Sequence, residues 1–113
     1  RDKRTIHIAN YEIQKLTNRL EQQKDEAKAE LMKSTRALET LRLETTKNEQ
    51  MAEQAKEALR ILQDRYEEGL VSTTDLLRSQ TQLAQTELAL AQSVFKRNVT
   101  KAYIELLTET NRK

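Results

Sequence analysis

The stretch that decides the fold is Arg65-Tyr-Glu-Glu-Gly-Leu-Val-Ser-Thr-Thr-Asp-Leu-Leu77. It contains Gly69, the one glycine among 113 residues, and the chain has no proline. Glycine tolerates the left-handed backbone conformation that ends many helices, so Gly69 suits the position just past a helix end. The stretch therefore predicts that one helix stops here.

A helix start signal follows at once. Ser72 and Asp75 have the spacing of a capping box, in which the hydroxyl accepts from the Asp75 backbone N–H and the carboxylate reaches back to Ser72. The carboxylate also complements the positive end of the helix dipole. Val71 and Leu76 flank the cap at positions where apolar side chains staple a helix start.

These signals predict an all-α fold, a long antiparallel α-helical hairpin of coiled-coil character. The predicted elements are a long helix over 1–68, a turn over 69–72 and a second helix over 73–113. The composition agrees, since 34% of residues are charged and only 4% are aromatic, which suits long solvated helices better than a globular core.

The composition also excludes several functions. The 20 basic and 18 acidic residues are interspersed, which gives no basic patch for nucleic acid or a membrane surface. The chain has no cysteine and one histidine, His7, so no metal site or catalytic nucleophile is predicted. No apolar run approaches the ~20 residues that span a bilayer. We therefore expect a non-enzyme without a cofactor, which does not itself insert into a membrane.

Apolar residues recur along the first helix at alternating steps of three and four, the pattern of a coiled-coil seam. They are Ile6, Ala9, Ile13, Leu16 and Leu20, then Ala27, Leu31, Leu38 and Leu41, then Ala52, Ala55, Leu59, Leu62 and Tyr66. Between Leu20 and Ala27 the steps indicate a four-residue insertion, which locally straightens a left-handed supercoil. The middle seam positions hold Ser34, Thr45 and Asn48, so the seam is weak by itself.

The second helix carries two apolar stripes. One consists of Leu77, Ala84, Leu88, Ala91, Phe95, Ala102 and Leu106, at close to eleven-residue spacing; the other consists of Leu76, Leu83, Leu90 and Val94. Because a two-helix hairpin needs only one stripe, the extra stripe predicts a second neighbour. Each helix is expected to sit in a wall or bundle, and a homodimeric four-helix bundle fits the same pattern.

The two helices have unequal lengths. About 65 residues precede the turn and about 40 follow it, which is ~98 Å against ~60 Å of helix. About the first 25 residues therefore lack a partner within the hairpin, although Ile6, Ile13, Leu16 and Leu20 continue the apolar seam. We expect the chain to be a fragment of a larger protein, and the isolated chain to self-associate as a dimer or larger species.

The turn resembles a family signature. The run Arg65-Tyr66-x-x-Gly69-Leu70-Val71-Ser72-x-x-Asp75-Leu76-Leu77 is similar to the periplasmic turns of TolC-type outer-membrane efflux proteins. The similarity continues through a Leu/Ala/Gln pattern at Gln80, Leu83, Ala84, Leu88, Ala91, Ala102 and Leu106, and upstream through Ala52, Ala55, Ala58 and Leu59. It covers roughly residues 52–106, whereas the first 50 residues match only as an amphipathic helix.

The resemblance implies a function. In that family a trimer sets such hairpins side by side as the wall of a periplasmic α-barrel tunnel, and the turns meet hairpin tips of a membrane fusion (adaptor) protein. It therefore implies the periplasmic portion of a Gram-negative outer-membrane transport protein in a tripartite efflux pump. The partner-binding tip residues would be Arg65, Tyr66, Gly69, Leu70, Val71, Ser72 and Asp75. The chain departs from the family in having no amphipathic β-strand for a barrel.

Two other functions remain open on the sequence. Adaptor hairpins also turn near an Arg, a Leu and a Ser, and Arg60 or Arg65 with Leu70 and Ser72 fits that description. Adaptors flank their hairpin with lipoyl-like half-motifs rich in Gly, Pro and Val, and neither end of this chain has one. If the turn match is accidental, the chain is a structural coiled coil.

Overall fold

The computed structural model describes residues 2–112, without the side chain of residue 111, and contains two helices. Helix α1 is Asp2–Glu67 and helix α2 is Thr73–Arg112. They pack antiparallel into a rod of 99 × 22 × 15 Å. A helix of 66 residues is about 99 Å long, so α1 runs the full length of the rod without a kink. The predicted all-α antiparallel hairpin is confirmed.

The predicted seam of α1 is the face that packs against α2. Its buried and half-buried positions alternate by three and four residues without interruption: Ala27, Leu31, Ser34, Leu38, Leu41, Thr45, Asn48, Ala52, Ala55, Leu59 and Leu62. The polar residues predicted to weaken the seam are among its most buried members. Leu38 and Ala52 are the buried apolar residues of the described chain.

Of the two stripes on α2, the one containing Leu76, Leu83 and Leu90 faces α1. It continues as a strict seam through Leu76, Ser79, Leu83, Thr86, Leu90, Ser93, Arg97, Thr100, Ile104 and Leu107, all buried or half-buried. The other stripe is exposed along its whole length. We call it the outer stripe; its members are Leu77, Ala84, Leu88, Ala91, Phe95, Ala102 and Leu106.

Small polar side chains fill the middle of the interface. Thr45 and Ser93 are 1% and 2% exposed, and each hydroxyl donates to a carbonyl of its own helix, Leu41 O at 2.7 Å and Leu90 O at 2.8 Å. Asn48 crosses between the helices, its Nδ2 donating to the Ala89 carbonyl at 3.3 Å. This hydrogen bond links a side chain of α1 to the backbone of α2 in the middle of the interface.

The two seams set the hairpin register, and side-chain hydrogen bonds cross the interface at two points. Besides Asn48, the Tyr103 hydroxyl donates to Glu30 Oε1 at 3.2 Å near the open end. Both helices rise by the same distance per residue. Moving one residue closer to the turn on α1 and one residue closer to the turn on α2 therefore gives another pair of residues at the same height along the rod. The seam positions then fall level in pairs such as Leu62 with Leu76 and Leu38 with Thr100.

The first part of α1 is not covered by α2. Residues 2–26 are all exposed, and Ala27 is the first residue that α2 shields. The predicted seam residues Ile6, Ile13, Leu16 and Leu20 are 55–61% exposed. Residues 2–26 of α1, which we call the overhang, therefore continue the apolar seam of the hairpin beyond the end of α2.

The hairpin exposes far more surface than a compact protein of its mass. Its accessible surface is 9558 Å², whereas a compact monomer of 13.2 kDa exposes about 6400 Å². Its radius of gyration is 27.2 Å, about twice that expected for a compact domain of this length. Stability therefore rests on one narrow seam.

Two leucine truncations test this seam. Leu38→Ala removes a side chain that is only 9% exposed and should lower the free energy of unfolding by about 2 kcal/mol or more. Leu16→Ala removes a side chain 55% exposed in the overhang and should change it by less than about 0.5 kcal/mol. Urea titrations followed by circular dichroism check both values, and equal losses would contradict the assigned seam.

Candidate partner-binding tip

Helix α1 ends in a Schellman motif around Gly69. The Leu70 N–H donates to the Arg65 carbonyl at 2.8 Å, and the Gly69 N–H donates to the Tyr66 carbonyl at 3.0 Å. These are the two bonds that define the motif. Gly69 has φ of 75°, and no other described residue has a positive φ. The carbonyls of Arg65 and Tyr66 near the end of α1 are thus satisfied within the turn.

Gly69 is required by its backbone conformation and not by lack of space. A Cβ built on Gly69 would have no atom within 4 Å, apart from its neighbours in the chain. The surface above this residue is therefore open to solvent. A second molecule could approach the backbone there without meeting a side chain at position 69.

Helix α2 begins with the predicted capping box. The Asp75 N–H donates to Ser72 Oγ at 3.1 Å, and the Ser72 N–H donates to Asp75 Oδ2 at 3.5 Å. The second bond is long because aspartate is one methylene shorter than the glutamate usual at this position. The Leu76 N–H donates to the Ser72 carbonyl at 3.2 Å, which starts the helix.

One link across the turn was not predicted from the sequence. The Tyr66 hydroxyl lies 3.4 Å from Thr73 Oγ1, so a side chain of the last turn of α1 meets the first residue of α2. Tyr66 continues the three-four pattern beyond Leu62, which places its side chain on the α2 side. That spacing was the available signal, but the identity of the partner depended on the path of the turn.

The apolar residues of the tip differ in exposure. Val71 and Leu76, the predicted staple pair, are both half-buried, whereas Leu70 is 68% exposed at the extreme end of the hairpin. The other predicted tip residues, Arg65, Tyr66, Gly69, Ser72 and Asp75, are also exposed. The structure thus brings all seven predicted tip residues together at one end of the rod. Among them, Leu70 has a more exposed large apolar side chain than Tyr66.

A charged ladder stiffens the last turns of α1. Arg60 contacts Glu57 Oε1 at 2.6 Å and Asp64 Oδ2 at 3.3 Å. The hydrogen bond from Arg60 lowers the pKa of Glu57 below its ordinary value, and the same bond raises the pKa of Arg60. Because all three side chains are exposed, this ladder adds to local helix order more than to global stability.

Other chemistry is not evident in the part of the chain that the structure describes. Within residues 2–112, no three His, Cys, Asp or Glu side chains are grouped so as to hold a metal ion. His7 is exposed in the overhang. Neither helix is apolar over a long enough stretch to cross a membrane.

The fold and the tip define a long antiparallel two-helix hairpin with an exposed apolar residue at its closed end. Comparisons with protein-family models, curated proteins and solved structures found no match to this chain. The similarity of the turn to TolC-type proteins therefore rests on the residues quoted above.

Substitutions at Gly69 separate backbone strain from crowding. Gly69→Val should lower the free energy of unfolding by about 1–3 kcal/mol, because a β-branched residue is strained in the left-handed region. Gly69→Asn, which tolerates that region, should cost clearly less. Thermal melts followed by circular dichroism check the order. Coinciding melts of Gly69→Val and the parent would contradict the role given to Gly69.

Ser72 and Leu70 should differ in their importance to folding. Ser72→Ala removes the cap of α2 and should cost about 1 kcal/mol. Leu70→Ser exchanges an exposed side chain and should change the free energy of unfolding by less than about 0.5 kcal/mol. The same melts measure both. A large loss in Leu70→Ser would mean that Leu70 serves the fold.

Proposed function

We propose that this chain is a periplasmic tunnel segment of a trimeric outer-membrane efflux or secretion channel, of the TolC type. Its closed end docks onto the hairpin tip of a membrane fusion (adaptor) protein. The observation that carries the proposal is Leu70, whose side chain is 68% exposed at the end of a turn in which only its backbone N–H makes a hydrogen bond.

The turn supports this assignment because its hydrogen bonds use no atom of the Leu70 side chain. The backbone N–H groups of Gly69 and Leu70 close α1 through the Schellman bonds, and Ser72 with Asp75 starts α2. Leu70 offers an apolar side chain at the extreme end of the hairpin, and we take it as the point of contact with another molecule. The open surface above Gly69 lets a partner approach the backbone next to it.

The contact proposed for one tip is small. A few residues, Leu70 and Val71 with the backbone of Gly69, bury much less than a stable protein interface needs. Several hairpins arranged in a ring and facing several adaptor hairpins would gain strength through multivalency. Docking is therefore proposed to depend on assembly of the trimer.

The exposed outer stripe supports the tunnel part of the proposal. Leu77, Leu88, Phe95 and Leu106 are 57–69% exposed on the side of α2 away from α1. An apolar stripe along a whole helix indicates a lateral neighbour. Helices with neighbours on both sides are what a wall of side-by-side hairpins requires.

The test places Leu70→Ser in the full-length parent protein. Efflux of substrate and crosslinking to the adaptor should both fall, while the trimer still assembles. Leu70→Met is the matched control, because it keeps an apolar side chain of similar volume and should retain both activities. If efflux and crosslinking persist unchanged in Leu70→Ser, the tip contact lies elsewhere and the docking proposal fails.

A further inference from the structure

The overhang carries an apolar face that α2 does not cover. Its members are spaced alternately by three and four residues: Ile6, Ala9, Ile13, Leu16 and Leu20. The four large side chains among them are 55–61% exposed. We call this set the overhang face. The alternating spacing is that of the a and d positions of a coiled-coil heptad, with Ile6, Ile13 and Leu20 at a.

The overhang face is turned relative to the face of α1 that packs against α2. Both faces share one line of positions seven residues apart, which includes Leu20 and Ala27. In the hairpin the second line lies four residues after the shared line, and its continuation into the overhang holds Asn10, Thr17 and Lys24. In the overhang face the second line lies three residues after the shared line. At 3.5 residues per turn the two faces therefore point about 50° apart, and a helix continuing straight on from α2 would meet polar side chains.

A second copy of the overhang, laid antiparallel on the first, completes the overhang face. When Ile13 of each copy is level with Leu16 of the other, Ala9 of each copy is level with Leu20 of the other. Four central layers then each hold two apolar side chains, and a small alanine faces a leucine in two of them. In the same register residue 2 of one copy is level with Ala27 of the other, where α2 begins to cover α1. The second copy therefore fits along the uncovered length of α1 without displacing α2.

Charged side chains beside the overhang face favour the antiparallel orientation. Glu12 and Arg19 lie on the same flank of the face, seven residues apart, and in an antiparallel pair this flank meets its own copy. Glu12 then lies beside Arg19 of the second copy, and Arg19 beside its Glu12, within about 3 Å of the same height. A parallel pair would instead set Arg19 beside Lys24 of the second copy. On the other flank, the antiparallel pair has one unfavourable contact at each end, between Lys3 and Lys24.

We infer that the overhang faces of two copies pack antiparallel, as a symmetric dimer whose two closed ends point in opposite directions. The contact is isologous, because both copies use the same residues. It continues the shared line of the hairpin seam, so the buried seam of each copy runs on into the dimer contact. The inference concerns a surface remote from the tip and does not rest on the proposed function.

The contact is short, so the dimer should be weak. About 18 residues of each helix take part, over residues 6–23, which places the contact at the small end of specific interfaces. We expect a dissociation constant on the order of 10–100 μM, and melts at about 1 μM therefore report on the single hairpin.

Sedimentation equilibrium and small-angle X-ray scattering of the full chain test the mass and the shape of the dimer together. The parent should form dimers about 160 Å long, because two rods of 99 Å overlap only through their overhangs. A parent that stays monomeric well above the expected range, or a dimer only about 100 Å long with its turns level, would overturn the inference.

A truncation in the central layers tests the residues of the contact. Leu16→Gln should weaken association about tenfold or more, since it removes a leucine from two layers of the dimer. Tyr11→Gln is the matched control and should associate like the parent, because Tyr11 is 66% exposed on the opposite face of the overhang. Glutamine is a good helix former, so circular dichroism should show that both variants fold. Equal association of Leu16→Gln and the parent would contradict the assigned face.

Exchanging the charges tests the antiparallel orientation. Glu12→Arg and Arg19→Glu should each weaken association about threefold or more, because each change sets like charges side by side twice in the dimer. Mixed in equal amounts, the two variants should form 1:1 heterodimers with the affinity of the parent, as measured by native mass spectrometry. Lys24→Glu should tighten association, because position 24 faces Lys3 of the second copy. A mixture that associates no better than either variant alone would overturn the antiparallel pairing.

Discussion

The left-handed backbone at Gly69 is the constraint on which the rest of the hairpin depends. A Schellman closure followed by a capping box leaves only a few residues between the helices, so the turn fixes how α1 and α2 slide against each other. That register decides which seam residues meet and places Asn48 beside the Ala89 carbonyl. Gly69 therefore influences the register of the two helices along the whole rod and not only the shape of the turn.

The interface that this register creates is narrow and partly polar. Thr45 and Ser93 occupy its most buried positions, and their hydroxyls bond to their own helices, so burying them leaves no unsatisfied donor. Small residues favour close packing of the backbones but bury little apolar area. More large apolar side chains lie outside the interface than within it. The hairpin therefore leaves much of its apolar surface exposed, which is the surface that the proposed function assigns to neighbouring helices.

The lateral surfaces and the tip of the hairpin owe their proposed roles to different observations. The lateral surfaces follow from exposure and register, quantities that belong to the hairpin itself. The tip proposal combines one exposed leucine with the resemblance of its turn to an efflux-protein signature. The lateral surfaces and the tip favour the same arrangement. In it, several hairpins form a ring, and contacts that are weak for one hairpin become strong through multivalency. A hairpin of this kind contributes position and apolar surface, and it needs no titrating side chain or bound cofactor for that role.

The sequence by itself determined the hairpin, because its signals are local. Glycine at the helix end, the Ser72–Asp75 cap and the three-four spacing of Ala27 to Leu62 each act within a few residues, and all three appear in the structure as predicted. Which of the two apolar stripes of α2 packs against α1 could not be predicted from local sequence signals. Both have helical spacing and similar apolarity, and only the path of the turn decided that Leu76, Leu83 and Leu90 face α1, together with Ser79, Thr86 and Ser93. The same tertiary register decided that Tyr66 meets Thr73 and that Leu70 remains exposed, because these depend on where the second helix lies.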